Sequence, residues 1–442
     1  MEQTAEDFVK FITLHENDDT AALLLSKNKW KDIDISLAAN TIETRRRLKS
    51  KVPSWYAVPE LIYPYKLSGE QCSSEETAML KASVAEKLLK GSHPAITPES
   101  SVKDDLKGFR IADLTGGMGI DSFAFSKIAE KVLYNEMNPV IAEAARRNFN
   151  ILGASNITVS GKMIVPGDTA RNQNSCSGNI EEAVSPAELL EEFSPDLIFL
   201  DPARRDTEGK KVFLIEDCSP DIMALKDELL AIARFIMIKL SPMADIDMVL
   251  DRLGPRCREI YITSSGGECK ELLIIMDRDW NGECMIHAGA MSFLRSEEKS
   301  AYAVLPDSNE YITEARMLFE PDKALMKSGA FNLICSRLNL VKLAKSTHLY
   351  ISGSLDAADK CRQYGKVFKI LESVHLDKSS VRDAGKRYPK AEVTARNLPM
   401  TSDMLRKKLN VSSGGTIHIF GAGAEYGGRR KESFLFITEK QI

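Results

Sequence analysis

The chain has 442 residues, of which 43% are hydrophobic and 28% charged, a balance that excludes a disordered chain and calls for more than one packed core. No apolar run approaches the ~18 residues of a membrane-spanning helix, and the start MEQTAEDFVK lacks the basic and apolar stretch of a signal peptide, so a cytoplasmic protein with no membrane partner is expected. The net charge of −4 divides unevenly: residues 331–442 hold 20 Lys and Arg against 10 Asp and Glu, a net of +10, which leaves −14 for residues 1–330 and points to a polyanionic partner for the basic part.

Residues 1–98 read as a helical region. DFVKFITL and ISLAANTIETRRRLKSK have helical spacing, and the proline-rich VPSWYAVPELIYP breaks the pattern after them. Ser73 and Glu76 fit a capping box that opens SEETAMLKASVAEKLLKG, with Leu80, Val84 and Leu88 as its apolar stripe and Gly91 as its stop. From 99 to 280, β-rich runs alternate with helical stretches: FRIADL, KVLYNE, ITVS, DLIFLD, FIMIKL, EIYITS and LLIIM. This alternation predicts an α/β fold with a mostly parallel sheet covered on both faces. The linker SGGECKE between the last two runs is too short for a helical crossover and predicts an antiparallel hairpin, for seven strands in all. Residues 281–365 read as a linking α+β region, with short strands in HAGAMSFLRSEEKSAYAVL and helical spacing in EPDKALMKSGAFNLICSRLNL up to about Asn339. Residues 366–442 form a small basic α+β module containing VFKILESV, a helix TSDMLRKKLN after the turn NLP, and the closing runs TIHIFGAG and ESFLFITEK.

The chemistry concentrates at the ends of the predicted strands. In IADLTGGMGIDSFAFS a strand ends in Asp113 and is followed by Gly116, Gly117 and Gly119 before a helix, so that the backbone can approach a ligand closely. The next strand ends in Glu136, 23 residues after Asp113, where a carboxylate can bond the ribose hydroxyls of an adenosine-containing ligand. That spacing also fits a dinucleotide enzyme. Asp113 at the start of the turn would repel a pyrophosphate, however, and can hold the amino group of a methionine moiety, which favours S-adenosylmethionine as the ligand. Met137 and Asn138 then line the adenine pocket, and Asp168 either accepts from the adenine amino group or is a solvated loop acid. DLIFLDPARRD brings Asp201, Pro202 and Arg204 to the carboxyl edge of the sheet, the expected methyl-acceptor side. There Asp201 faces the acceptor and Pro202 turns the chain outward, while Arg204 and Arg205 contact phosphate or base or form structural ion pairs. The eight cysteines (Cys72, Cys176, Cys218, Cys257, Cys269, Cys284, Cys335 and Cys361) form no CxxC pair and the histidines no cluster, so no metal is expected. Two basic clusters, Arg406, Lys407 and Lys408, then Arg429, Arg430 and Lys431, are either solvated faces or contacts to RNA phosphates.

Residues 70–280 look like a class I methyltransferase. The whole chain resembles bacterial methyltransferase-like proteins that carry a ferredoxin-like insert and a THUMP-like C-terminal domain, through EQCSSEETA, DLTGGMGID, DPARRD, IKLSPMADI, GECKELL, FEPDKALMKSGAF and RNLPMTSDMLRKKLNVSSGG. The resemblance implies a Rossmann-like seven-stranded methyltransferase sheet, S-adenosylmethionine as donor and, by analogy with THUMP domains, an RNA acceptor such as tRNA or rRNA. Asp-Pro-Ala-Arg is similar to the motif of RNA methyltransferases that modify a uridine carbon through a cysteine nucleophile. The fifth strand here ends in Lys239, Ser241 and Pro242 without a cysteine, and Cys269 is the nearby thiol, read more simply as packed. Direct transfer to a nucleobase nitrogen is therefore expected. The rival readings are a protein or small-molecule acceptor, and an RNA-binding protein whose methyltransferase fold has lost turnover.

Overall fold

The computed structural model describes residues 5–92, 108–173, 183–204, 215, 218–428 and 430–440. The chain divides into two compact units, residues 1–258 with 273–282 and residues 259–272 with 283–442.

In the first unit the N-terminal helices form as their spacing predicts. Helix α1 (Ala5–Leu14) and α2 (Ile35–Lys51) share a core of Phe8, Phe11, Ile12, Ile35, Ala38 and Ile42, and the Asp34 carboxylate starts α2 by accepting from the Leu37 N–H at 3.0 Å. Further along, Leu48, Trp55, Leu61 and Tyr63 join Met118, Tyr134 and Phe149 in a single core, so the helical leader is built into the domain that carries the glycine turn. Helix α3 (Glu75–Ser92) departs from expectation at two points. The oxygen that accepts from its first turn is Ser74 Oγ, bonded to the Thr77 N–H, because the Ser73 hydroxyl instead donates to Asp121 at 2.7 Å. Leu80 is also turned to solvent; the buried face runs through Thr77, Ala78, Lys81, Ala82, Val84, Ala85 and Leu88.

All seven predicted strands are present: β1 (Arg110–Asp113), β2 (Lys131–Asn135), β3 (Ile157–Ser160), β4 (Leu197–Leu200), β5 (Phe235–Leu240), β6 (Cys257–Ser265) and β7 (Glu268–Asp277). Their hydrogen-bonded order is β3-β2-β1-β4-β5-β7-β6, with β3, β2, β1, β4 and β5 mutually parallel. Leu197, Ile198, Phe199 and Leu200 are all buried, the continuous apolar run expected of a strand covered on both faces. Gly266 and Gly267, at φ +61° and +79°, make the two-residue turn between β6 and β7, a conformation that side chains resist at both positions. The sheet then gains two strands beyond the seven: β8 (Met285–Ala288) pairs parallel to β6, and β9 (Met291–Leu294) returns antiparallel to β8, satisfying an edge that would otherwise stay open.

The second unit contains a seven-stranded sheet of β10 (Met317–Pro321), β11 (Val341–Ala344), β12 (Thr347–Ser352), β13 (Gly365–His375), β14 (Glu392–Arg396), β15 (Ile417–Tyr426) and β16 (Arg430–Lys440), in the order β11-β12-β10-β13-β16-β15-β14. Alternation along its long strands sorts the core into two layers: Phe420, Ala422, Phe434 and Phe436 on one face, and Ile419, Leu435 and Ile437 on the other. Helices α4 (Lys378–Arg387) and α5 (Ser402–Leu409) pack Val381, Ala384, Leu405 and Leu409 into the second layer. The linking region and the basic module thus meet in one sheet, through the antiparallel pairing of β10 with β13. The helical run before Asn339 ends as expected, with Asn339 in the left-handed conformation at φ +55°. Among the described residues no helix is long and apolar enough to cross a membrane.

Candidate active site

The site is built where β1, β2, β4 and β5 end. Asp113, the last residue of β1, is fully buried, and its carboxylate accepts from the Thr115 N–H at 3.1 Å and from Ser122 Oγ at 2.5 Å. The group thus shapes the turn from inside. Burial pushes its carboxyl up to about 7, against the lowering effect of those two bonds. The proton is bound more tightly folded than unfolded, so the stability linked to it is full at low pH and declines as pH rises from about 4 to about 7. Thermal melts of the wild type and Asp113→Asn across this range should show the wild type losing ground with rising pH. A difference that stays constant would mean that Asp113 does not titrate there.

The three glycines differ in what demands them. A Cβ on Gly116 would lie 2.2 Å from the Tyr134 ring, and one on Gly119, itself left-handed at φ +88°, would lie 2.4 Å from Phe149, so both allow aromatic side chains to pack beneath the turn. Gly117 has φ +51°, and a Cβ there would meet nothing within 4 Å, so its requirement is backbone conformation on a side that is open. The turn is tied to the next strand through Glu136, whose two oxygens accept from the Gly117 N–H at 3.0 Å and the Asn138 N–H at 2.8 Å. Met137 beside it is exposed, and Asn138 caps the following helix Pro139–Ile151 by accepting from Val140 and Ile141. Asp168 is exposed in the first turn of the short helix Gly167–Gln173.

On the other side of β1, the Asp201 N–H donates to Thr115 Oγ1 at 2.6 Å, which joins the glycine turn to the end of β4. The Asp201 carboxylate is half-buried and receives the Lys239 ammonium, from β5, at 2.6 Å. Pro202 is buried, and Ala203–Arg204 pairs antiparallel with Cys218–Ser219. The Arg204 side chain, Arg205, Cys176 and Arg429 lie outside the described residues. Cys72 adds a thiol near this edge: burial raises its pKa, while Lys51 and Lys239 pull it back down. Burial likewise raises the thiol of Cys269 in β7. Among the described residues no group of His, Cys, Asp and Glu could hold a metal ion.

Residue-by-residue reading of the sequence passed over three contributors: Thr115, Asp121 and Lys81. Lys81 is fully buried, with its ammonium 3.1 Å from the Asp121 carboxylate and 3.0 Å from Ser73 Oγ. A lysine in phase with Ala78, Ala82 and Ala85 on the inner face of α3 was the visible signal, since a buried charge requires a partner.

Residues 317–358 match the family profile of a ferredoxin-like domain and residues 365–440 that of a THUMP-like domain. The structure is similar to that of a candidate methyltransferase from Porphyromonas gingivalis W83, at 28% identity over 98% of each chain with a TM-score of 0.77. It also aligns in part with a human methyltransferase 10 domain containing protein, at 13% identity over 46% of this chain and 82% of that one (TM-score 0.30). TrmN from Thermus thermophilus aligns at 16% identity over 45% of this chain and 48% of that one (TM-score 0.27). No curated protein sequence matches the chain. The strand order, the two matched domains and the full-length likeness agree: the chain has a Rossmann-like sheet of the methyltransferase fold, a ferredoxin-like domain and a THUMP-like domain.

Proposed function

We propose that the chain is an S-adenosylmethionine-dependent methyltransferase that acts on a nucleobase nitrogen of structured RNA. The observation that carries this reading is the linkage of the glycine turn on one side to Glu136 and on the other to Asp201, at the carboxyl edge of a sheet with the strand order described. The open side of Gly117 and the partly exposed Glu136 carboxylate fit an adenosine-containing donor, with Glu136 accepting from the ribose hydroxyls and Met137 against the adenine. Asp168 is the residue we assign to the adenine amino group. The donor, when bound, supplies an electrophilic methyl on a sulfonium. Asp201 then accepts a hydrogen bond from the acceptor amine and orients its lone pair for in-line attack, while Lys239 holds the carboxylate in place. The THUMP-like domain and the net charge of +10 over residues 331–442 support an RNA acceptor.

Titration calorimetry with S-adenosylmethionine tests the donor site. Glu136→Ala removes charge-assisted bonds worth roughly 1.5–3 kcal/mol, so affinity falls at least about tenfold, and Glu136→Gln loses less. Binding of NADH in preference to the methyl donor would overturn the reading. The acceptor is identified by mass spectrometry of nucleosides from cells with and without the protein; an unchanged nucleoside profile together with a methylated protein or metabolite would reassign it.

A further inference from the structure

The second unit carries a ridge of cations with a definite construction. Helix α4 buries Val381, Ala384 and Gly385, which leaves Lys378, Arg382 and Lys386, spaced four residues apart, along its exposed side. Helix α5 buries Leu405 and Leu409 and exposes Lys407 and Lys408 in its last turn. The helices meet backbone to backbone, since a Cβ on Gly385 would lie 1.9 Å from the Leu409 carbonyl oxygen, a contact one residue before Lys386 on α4 and one residue after Lys408 on α5. The chain then returns beside Lys390: the Ser412 N–H donates to the Pro389 carbonyl at 3.0 Å, and the Lys390 side chain lies against Gly414.

Residues 378–416 hold nine Lys and Arg against three acids. Asp383 is taken by Arg387 and Asp403 by Arg406, so the arginines at the flanks consume the nearby carboxylates. Lys378, Arg382, Lys386, Lys390, Lys407 and Lys408 are exposed, and none has a carboxylate partner among the described residues. The other basic cluster is elsewhere: Arg430 and Lys431 open β16 beside Tyr426, eight residues along β15 from His418, which is paired with Glu392 near the ridge. At ~3.3 Å per residue that is about 25 Å along the sheet.

We infer that this six-cation ridge seats the phosphate backbone of the structured RNA. The inference rests on the RNA-acceptor reading above and names the surface that reading requires. A membrane surface fits poorly, because an interfacial helix needs an exposed apolar stripe, whereas both helices bury theirs in the sheet and α5 exposes only Met404. The test uses the full chain and an unmodified tRNA transcript, titrated at several salt concentrations. Each phosphate contact contributes roughly 0.7–0.9 to the slope of log affinity against log salt, so K378E/R382E/K386E should flatten the slope by about 2. Between 50 and 200 mM salt the wild type should lose about 20-fold more affinity than that variant. K378Q/R382Q/K386Q should flatten the slope in the same way, and calorimetric donor binding should be unchanged in both. R430A/K431A should leave the slope within about 1 of wild type. RNA binding with a wild-type slope in both ridge variants overturns the ridge and leaves the RNA reading standing. No binding of tRNA at low salt overturns both, while donor binding still decides the methyltransferase reading. Ridge-dependent binding to vesicles with anionic lipid, as tight as to tRNA, overturns the choice of RNA as the partner.

Discussion

Lys81→Met is expected to destabilise the first unit by about 3–5 kcal/mol, the usual cost of stripping one partner from a buried ion pair. The fully buried ammonium is held by Asp121 and Ser73, and Asp121 sits in the first turn of the helix after the glycine turn. Without Lys81 its carboxylate keeps only the Ser73 hydroxyl in a medium that solvates charge poorly. Lys81→Met combined with Asp121→Leu should recover most of the loss, because replacing both charges by apolar groups removes the unpaired ion. Denaturant melts measure both. A single variant within about 1 kcal/mol of wild type would show that Asp121 finds another partner.

The second large effect is on turnover. Asp201→Ala should slow methylation of RNA from cells lacking the protein by roughly two orders of magnitude, with donor affinity nearly unchanged, as expected when a positioning contact to the acceptor is lost. Asp201→Asn keeps an oxygen that accepts from an amine but gives up the charge facing Lys239 at 2.6 Å, so it should fall between the two. Wild-type turnover in Asp201→Ala would remove this residue from the chemistry.

Most of the Rossmann-like sheet was legible from the sequence because its signals are local. Strands such as DLIFLD are short apolar runs bounded by polar residues, and the two-residue turn between β6 and β7 is written in Gly266 and Gly267. The glycine turn was recognisable for the same reason. What each glycine does was not, since the demand on Gly116 comes from Tyr134 and that on Gly119 from Phe149 together with its left-handed backbone, and both aromatic residues are distant in sequence. Ser73 shows the limit clearly: its spacing to Glu76 matches a capping box, but a long-range bond to Asp121 outcompetes the local one and Ser74 takes the capping position. Thr115, Asp121 and Lys81 contribute through partners 40 to 86 residues away, a distance at which periodicity says nothing. In the second unit VFKILESV had no clear period. It is β13, a central strand whose side chains enter cores on both faces of the sheet, so polar and apolar residues do not simply alternate.

The pairing of β10 with β13 has a practical consequence for any attempt to separate the matched domains. Met317 to Pro321 face Lys369 to Gly365 across five consecutive residue pairs, and the ferredoxin-like segment ends at 358 while the THUMP-like segment begins at 365. Cleaving the chain between them would turn two interior strands into open edges, each with a row of unpaired N–H and C=O groups beside apolar side chains such as Leu318 and Phe368. Each half would then act as a template for its own oligomers, so the two segments are best inherited, expressed and transplanted together, as one indivisible cassette.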